Sequence, residues 1–217
     1  MQSLLQDNND DEIYITIFDL AGKSAFDLLD ARKPVSVLED SKGNTHVKDA
    51  REVRVQDGPE FLDLLDEAAS YRRTASTMKN DASSRSHAVC RIRVRNVKDP
   101  DDGILYLVDL AGSEAARDVA EHGNERMKET KEINMSLSVL KDCVRGKAQA
   151  DALSGTERHS KVRVPIRQTT LTKVLKHVFD PKSTIPTKTA VVACVNPSLA
   201  DVNSSKNTLR YAEMMRG

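Results

Sequence analysis

Apolar and polar positions change period several times along the chain, and each change marks an element. Ile13-Tyr14-Ile15-Thr16-Ile17-Phe18 is β-branched and aromatic, which predicts a strand. Phe26-Asp27-Leu28-Leu29 follows a turn at Gly22, and Val35-Ser36-Val37-Leu38 and Glu52-Val53-Arg54-Val55 read as short strands around a Lys42-Gly43-Asn44 turn. Pro59 opens a helix whose Phe61, Leu62, Leu64, Leu65, Ala68 and Ala69 form an apolar stripe. Residues 72–87 are polar and predict a loop, after which alternation from Val89 to Arg95 predicts a strand. Ile104-Leu105-Tyr106-Leu107-Val108 is a continuous apolar run stopping at Asp109, the pattern of a buried parallel strand. A loop over 112–127 leads to a helix with Ile133, Leu137, Leu140 and Val144 on one face, and residues 146–164 predict a further polar loop. Thr169 or Thr170 can cap a helix carrying Leu171, Val174, Leu175 and Val178. Ala190 to Val195 predicts another buried strand, ended by Asn196-Pro197, and a last helix is predicted from Asn203 to Met215. Strands interleaved with helices predict an α/β sandwich around a mixed sheet.

Composition narrows the class. With 217 residues, 39% apolar and 30% charged, the chain fits one large domain or part of one. No apolar run approaches the length of a membrane span, and the acidic, polar start from Met1 to Glu12 is unlike a signal peptide, so a cytosolic protein is expected. Cys90, Cys143 and Cys194 lie far apart, without paired or metal-ligand spacing, and are expected as reduced thiols.

The net charge is zero but unevenly spread. Residues 1–70 hold 7 Lys/Arg against 16 Asp/Glu, whereas residues 141–177 hold 9 against 3. The basic stretch is either a solvated face or the docking surface for an acidic partner. Nucleic acid is not the expected partner, because aromatics are only 4% and no base-stacking or recognition motif occurs.

Two short strings carry candidate chemistry. Asn80-Asp81-Ala82-Ser83-Ser84-Arg85-Ser86-His87 supplies hydroxyls for Mg²⁺ and water at Ser83 and Ser84, and a rigid donor at Arg85. Asp109-Leu110-Ala111-Gly112-Ser113-Glu114 begins 22 residues after His87. Its Asp109 ends a strand where a carboxylate can help hold Mg²⁺, and the Gly112 amide can approach a γ-phosphate because no side chain blocks it. Arg85 pairing with Glu114 would latch the strings together when a γ-phosphate draws them in, an order–disorder switch.

In this order the two strings resemble switch I (80–87) and switch II (109–114) of kinesin motor domains. The resemblance extends over nearly the whole chain. Phe18 to Leu29 is similar to the family's strand and turn ending in Asp-Leu-Leu, and Ile133-Asn134-Met135-Ser136-Leu137 with Leu140 to the long helix after switch II. Val164-Pro165-Ile166-Arg167-Gln168-Thr169-Thr170-Leu171-Thr172 resembles the loop and helix that grip tubulin, and Asn207-Thr208-Leu209-Arg210-Tyr211-Ala212 the motor's final helix, at about 203–215. The resemblance implies a P-loop NTPase three-layer sandwich with a mixed central sheet, incomplete at its N-terminal side. It also implies ATP and Mg²⁺ as cofactors and microtubules as partner, with no role for nucleic acid or membrane. Ser83, Ser84, Arg85 and Glu114 are then the candidate catalytic residues, Asn80, Asp109 and Gly112 contact nucleotide, and Ser84 and Asp109 serve the metal. A microtubule-binding region at about 128–177 would use Lys141, Arg145, Lys161, Arg163, Arg167, Lys173 and Lys176. Family motors usually carry Tyr, Asp and Lys where this chain has Ile166, Gln168 and Thr170, which implies altered filament affinity. Val37-Leu38-Glu39-Asp40 and Leu140-Lys141-Asp142-Cys143 look most like the internal-motor, microtubule-depolymerising branch, although Ser113 is the general form of its position.

A Walker loop, Gly-x-x-x-x-Gly-Lys-Ser/Thr, is not found in the sequence. Gly22-Lys23-Ser24 is a decoy, because Ile17, five residues before Gly22, lies inside a strand and the segment cannot wrap a phosphate. The 217 residues alone are therefore expected to be inactive as an ATPase and poorly stable, the intact motor hydrolysing ATP. The alternative is a kinesin-like module that binds microtubules without hydrolysis. A small GTPase is excluded by the lack of an Asn-Lys-x-Asp guanine-reading motif.

Overall fold

The computed structural model describes residues 11–41, 43–79, 85–96, 102–112, 124–156, 161–183 and 186–214. Two compact units emerge: residues 1–38 with 46–115, and residues 39–45 with 116–217.

The first unit is built on a sheet of seven described strands: β1 (Asp11–Ala21), β2 (Ser24–Asp27), β3 (Pro34–Glu39), β4 (Thr45–Lys48), β5 (Val53–Val55), β6 (His87–Asn96) and β7 (Gly103–Asp109). Their order is β4-β3-β2-β1-β6-β7, with β5 also pairing β1. β1 is the organising strand. Its first half pairs β5 (Ile13↔Val55), its second half pairs β2 (Phe18↔Asp27), and its whole length pairs β6. The β1–β2 link is a two-residue turn in which Gly22 takes a φ of 58°, so the Gly22-Lys23-Ser24 decoy is a hairpin tip.

Period-two alternation sets the core. Ile13, Ile15 and Ile17 of β1 and Cys90 and Ile92 of β6 pack with Phe61, Leu64 and Ala68 of helix α1 (Gly58–Lys79), joined by Leu28, Leu29 and Val55. Leu28 and Leu29 are positioned by Asp27, a fully buried carboxylate. It accepts hydrogen bonds from the Leu29 amide (2.7 Å) and the Arg51 amide (2.5 Å), and Arg51 Nη1 donates to the Leu29 carbonyl at 2.8 Å. The Asp-Leu-Leu motif is thus a structural turn, its charge balanced by backbone donors.

The second unit contains α2 (Asn124–Ala152), α3 (Thr170–Val174), α4 (Lys176–Phe179), a 3₁₀ turn (Leu199–Asp201) and α5 (Val202–Met214). Its buried residues include Ile133, Leu137, Leu140, Cys143, Ala150, Leu171, Val174 and Phe179. Thr169 caps α3 through a capping box in which Thr169 and Thr172 exchange hydrogen bonds. Among the described residues, no helix is long and apolar enough to cross a membrane.

Four expectations change. α1 continues to Lys79, into the stretch expected as a loop from 72. α2 continues to Ala152, where a loop was expected from 146. Its buried face there consists of Cys143, Gly146 and Ala150, and a Cβ on Gly146 would come within 3.1 Å of Val164 Cγ2. Small residues carry that stripe, so it does not register as apolar periodicity. Residues 104–108 do form a strand, but β7 pairs β6 antiparallel and stands at the edge of the described sheet, with Ile104, Leu105 and Leu107 about half exposed. Residues 190–195 form no strand and are largely exposed, Val192 at 87%. An apolar β-branched run becomes a buried strand only when a neighbour accepts its ladder hydrogen bonds.

Candidate functional site

In the first unit, the sheet register brings the two chemistry-bearing strings together. Asp19 of β1 opposes Ala88 of β6, and Ala88 opposes Asp109 of β7, so both carboxylates lie in one cross-strand row on the α1 face with only a methyl between them. Arg72 of α1 spans that row. Its Nη1 donates to Asp109 Oδ2 at 2.6 Å, its Nη2 donates to the Ser86 carbonyl at 2.9 Å, and its Nε lies 3.7 Å from Asp19 Oδ1. Arg32 Nη1 donates to the other Asp19 oxygen at 3.0 Å and stacks over Phe26. Arg32 reaches inward from a turn in which it and Ala31 hold φ values of 59° and 46°.

A second tie joins the strings directly. The Ala111 amide donates to His87 Nδ1 at 3.0 Å. Burial, aided by the Arg72 charge and opposed by Asp109, lowers the His87 pKa to about 4. The imidazole is therefore neutral and free to accept at Nδ1 with its proton on Nε2. At the end of one string Ser86 is thus joined through Arg72 to Asp109, and His87 directly to Ala111, at the start of the other.

Of the expected nucleotide-site residues, Asp109, Gly112 and Arg85 are described. The Asp109 side chain is 71% exposed at the end of the strand, and Gly112 and Arg85 are half-buried. Asn80, Ser83, Ser84 and Glu114 lie outside the described residues. The donor chemistry suits Mg²⁺, which one or two carboxylates hold together with phosphate oxygens. Arg72, Asp19 and Arg32 were not anticipated. A signal for Arg72 existed, since the stripe Phe61, Leu64, Leu65, Ala68 continues at helical spacing to position 72.

The second unit holds all seven basic candidates. Lys161, Arg163 and Lys173 are exposed. Arg145 is 58% exposed, with Asp142 at 3.9 Å. Arg145 and Arg163 share a groove of about 540 Å³ between α2 and the 163–168 loop. Lys141 lies 4.5 Å over the Tyr211 ring, and Tyr211 in turn contacts the Leu137 carbonyl at 3.5 Å, fastening α5 to α2. Arg167 and Lys176 both bond Glu39.

Comparison with known proteins places this arrangement. The family description "Kinesin motor domain" matches residues 1–217. "Diatom spindle kinesin-1" of Cylindrotheca fusiformis is 38% identical over 98% of the chain and 32% of its own length. "Kinesin-like protein KIN-13B" of Arabidopsis thaliana is 31% identical over 94% of the chain and 29% of its own length. The solved structure of "kinesin 6" is similar at a TM-score of 0.74 and 27% identity, over 94% of the chain and 56% of the solved one. The chain therefore spans about a third of the length of these curated relatives.

Proposed function

The chain belongs to the kinesin motor-domain family, and from that premise we propose that it forms the switch-bearing and filament-binding part of an ATP-driven microtubule motor. The observation that carries the reading is the double tie between the two strings, Arg72 to Asp109 and Ser86, and Ala111 to His87. A change of charge or position at Asp109 reaches the fold by two routes: through Arg72 to α1, and through Ala111 to β6.

Bound ATP with Mg²⁺ would supply the γ-phosphate that water attacks in line. Asp109 and Ser84 would hold the ion, and Asn80 and Gly112 would contact the nucleotide. Ser83 and Arg85, with Glu114, would position water and close the switch. On the chain's own side, Arg72 keeps Asp109 oriented at the strand end and couples it to α1. His87, neutral, holds the backbone after Asp109 by accepting the Ala111 amide. The basic face of α2 and the 161–176 segment fits the acidic surface of tubulin by charge, with Lys141, Arg145, Lys161, Arg163, Arg167 and Lys173 as contacts. The two internal-motor-like tetrapeptides incline the reading toward end depolymerisation over walking.

The test is ATP turnover by the full-length natural protein with and without microtubules. Asp109→Asn and Glu114→Ala are each expected to reduce stimulated turnover at least about 100-fold. Nucleotide-insensitive binding without turnover would instead support a non-hydrolysing microtubule module, and no binding at all would overturn the proposal. Shortening of stabilised filaments against gliding separates the two motor modes.

A further inference from the structure

Glu39, at the end of β3, is gripped by basic residues from two later segments of the second unit. Arg167 donates through Nε (2.9 Å) and Nη2 (2.5 Å) to the two carboxylate oxygens, a bidentate pair, and Lys176 Nζ donates to Oε1 at 2.8 Å. Lys176 also donates to the Gly43 carbonyl at 2.6 Å, and Thr45 Oγ1 donates to the Lys173 carbonyl at 2.9 Å. The two cations are not equivalent. Lys176 is 12% exposed, and its two acceptors belong to the 39–45 tip, so it anchors that tip. Arg167 is 64% exposed, and its guanidinium fork is turned onto Glu39 at the surface.

We infer that Glu39 is an internal counter-carboxylate that occupies Arg167 until an acidic filament surface displaces it, and so sets the affinity of this face for microtubules. The inference rests on the motor reading above and names one element of its regulation. The Nε–Nη2 edge that Glu39 engages bidentately cannot offer the same two donors to another carboxylate, so a partner gains that edge only by exchange, and the Nη1 side that is left carries a charge Glu39 already offsets. The exchange is accessible because Arg167 is exposed at the surface, where salt and a second carboxylate both compete with Glu39. Arg167 and Lys176 also hold the Glu39 carboxyl down at about 2, so it stays charged across the physiological range and competition is between charges. The basic stretch accordingly offers less free charge than its sequence suggests: Lys176 serves the fold, and Arg167 is available conditionally.

The experiment compares full-length wild type, Glu39→Gln, Arg167→Gln and the double variant in microtubule co-sedimentation over a salt series. Phenylglyoxal modification of Arg167, read by peptide mass spectrometry without microtubules, accompanies it. Glu39→Gln is expected to bind about two- to fivefold tighter at low salt, to lose that gain as salt rises, and to show none in the Arg167→Gln background. Arg167 should be modified faster in Glu39→Gln. Equal or weaker binding by Glu39→Gln overturns the inference, the weaker case meaning that Glu39 shapes the binding loop. If no variant binds microtubules, the motor reading falls, and the shielding of Arg167 is decided by its modification rate alone: an unchanged rate overturns it.

Discussion

Arg72 bonds Asp109 across the side chain of Ala88, and the same guanidinium lies against Asp19, so one cation serves two carboxylates of very different solvation. Asp19 is 2% exposed and Asp109 71%. The two partners should therefore respond unequally to deletion. Asp109→Ala removes a solvated partner and is expected to cost under about 1 kcal/mol of stability. Arg72→Ala leaves Asp19 buried with Arg32 alone and is expected to cost about 3 kcal/mol. Urea unfolding of the two variants checks the asymmetry, and equal losses would contradict it.

Burial of His87, aided by the neighbouring Arg72 charge, makes stability acid-sensitive in a defined window. Its folded pKa of about 4 lies below the ordinary 6.5, so the unfolded chain binds the proton first. The contribution of neutral His87 is complete above pH 6.5 and is lost as pH falls through about 4, an effect on the order of 3 kcal/mol. His87→Gln keeps an acceptor but cannot titrate. It should flatten the stability profile over this window, as measured by denaturant titration at a series of pH values.

Asp27 tests whether the Asp-Leu-Leu turn is structural. Asp27→Asn presents an amide donor to one of two backbone amides and removes the charge from both bonds. A loss of about 2–4 kcal/mol is expected, again read by urea unfolding. Asp30, in the same turn but exposed, should tolerate the same change within about 0.5 kcal/mol.

Much of this was legible from pattern. Period-two alternation in β1 and β6 fixed which side meets α1, and the Thr169-Thr170 pair declared a helix start by chemistry, Thr169 proving to be the cap. What escaped was structure carried by residues that do not look apolar. Arg72 extends the α1 stripe with a charge, and Gly146 and Ala150 extend the α2 stripe with almost no side chain. The candidate site divided in the same way. Asp109 and Gly112 are visible because their chemistry is local, whereas the Asp19–Ala88–Asp109 row exists only once three strands take their register. The 190–195 run failed for the opposite reason, since its propensity is high but a strand needs a neighbour.

The three cysteines differ in a way that matters at the bench. Cys90 and Cys143 are buried, and burial raises their thiols to about 11 and about 12, so neither offers thiolate near neutrality. Cys194 is exposed in the 190–195 run. Maleimide should therefore label the native chain of 217 residues rapidly at one position, while the other two react only on unfolding, giving a fluorophore attachment point without mutagenesis.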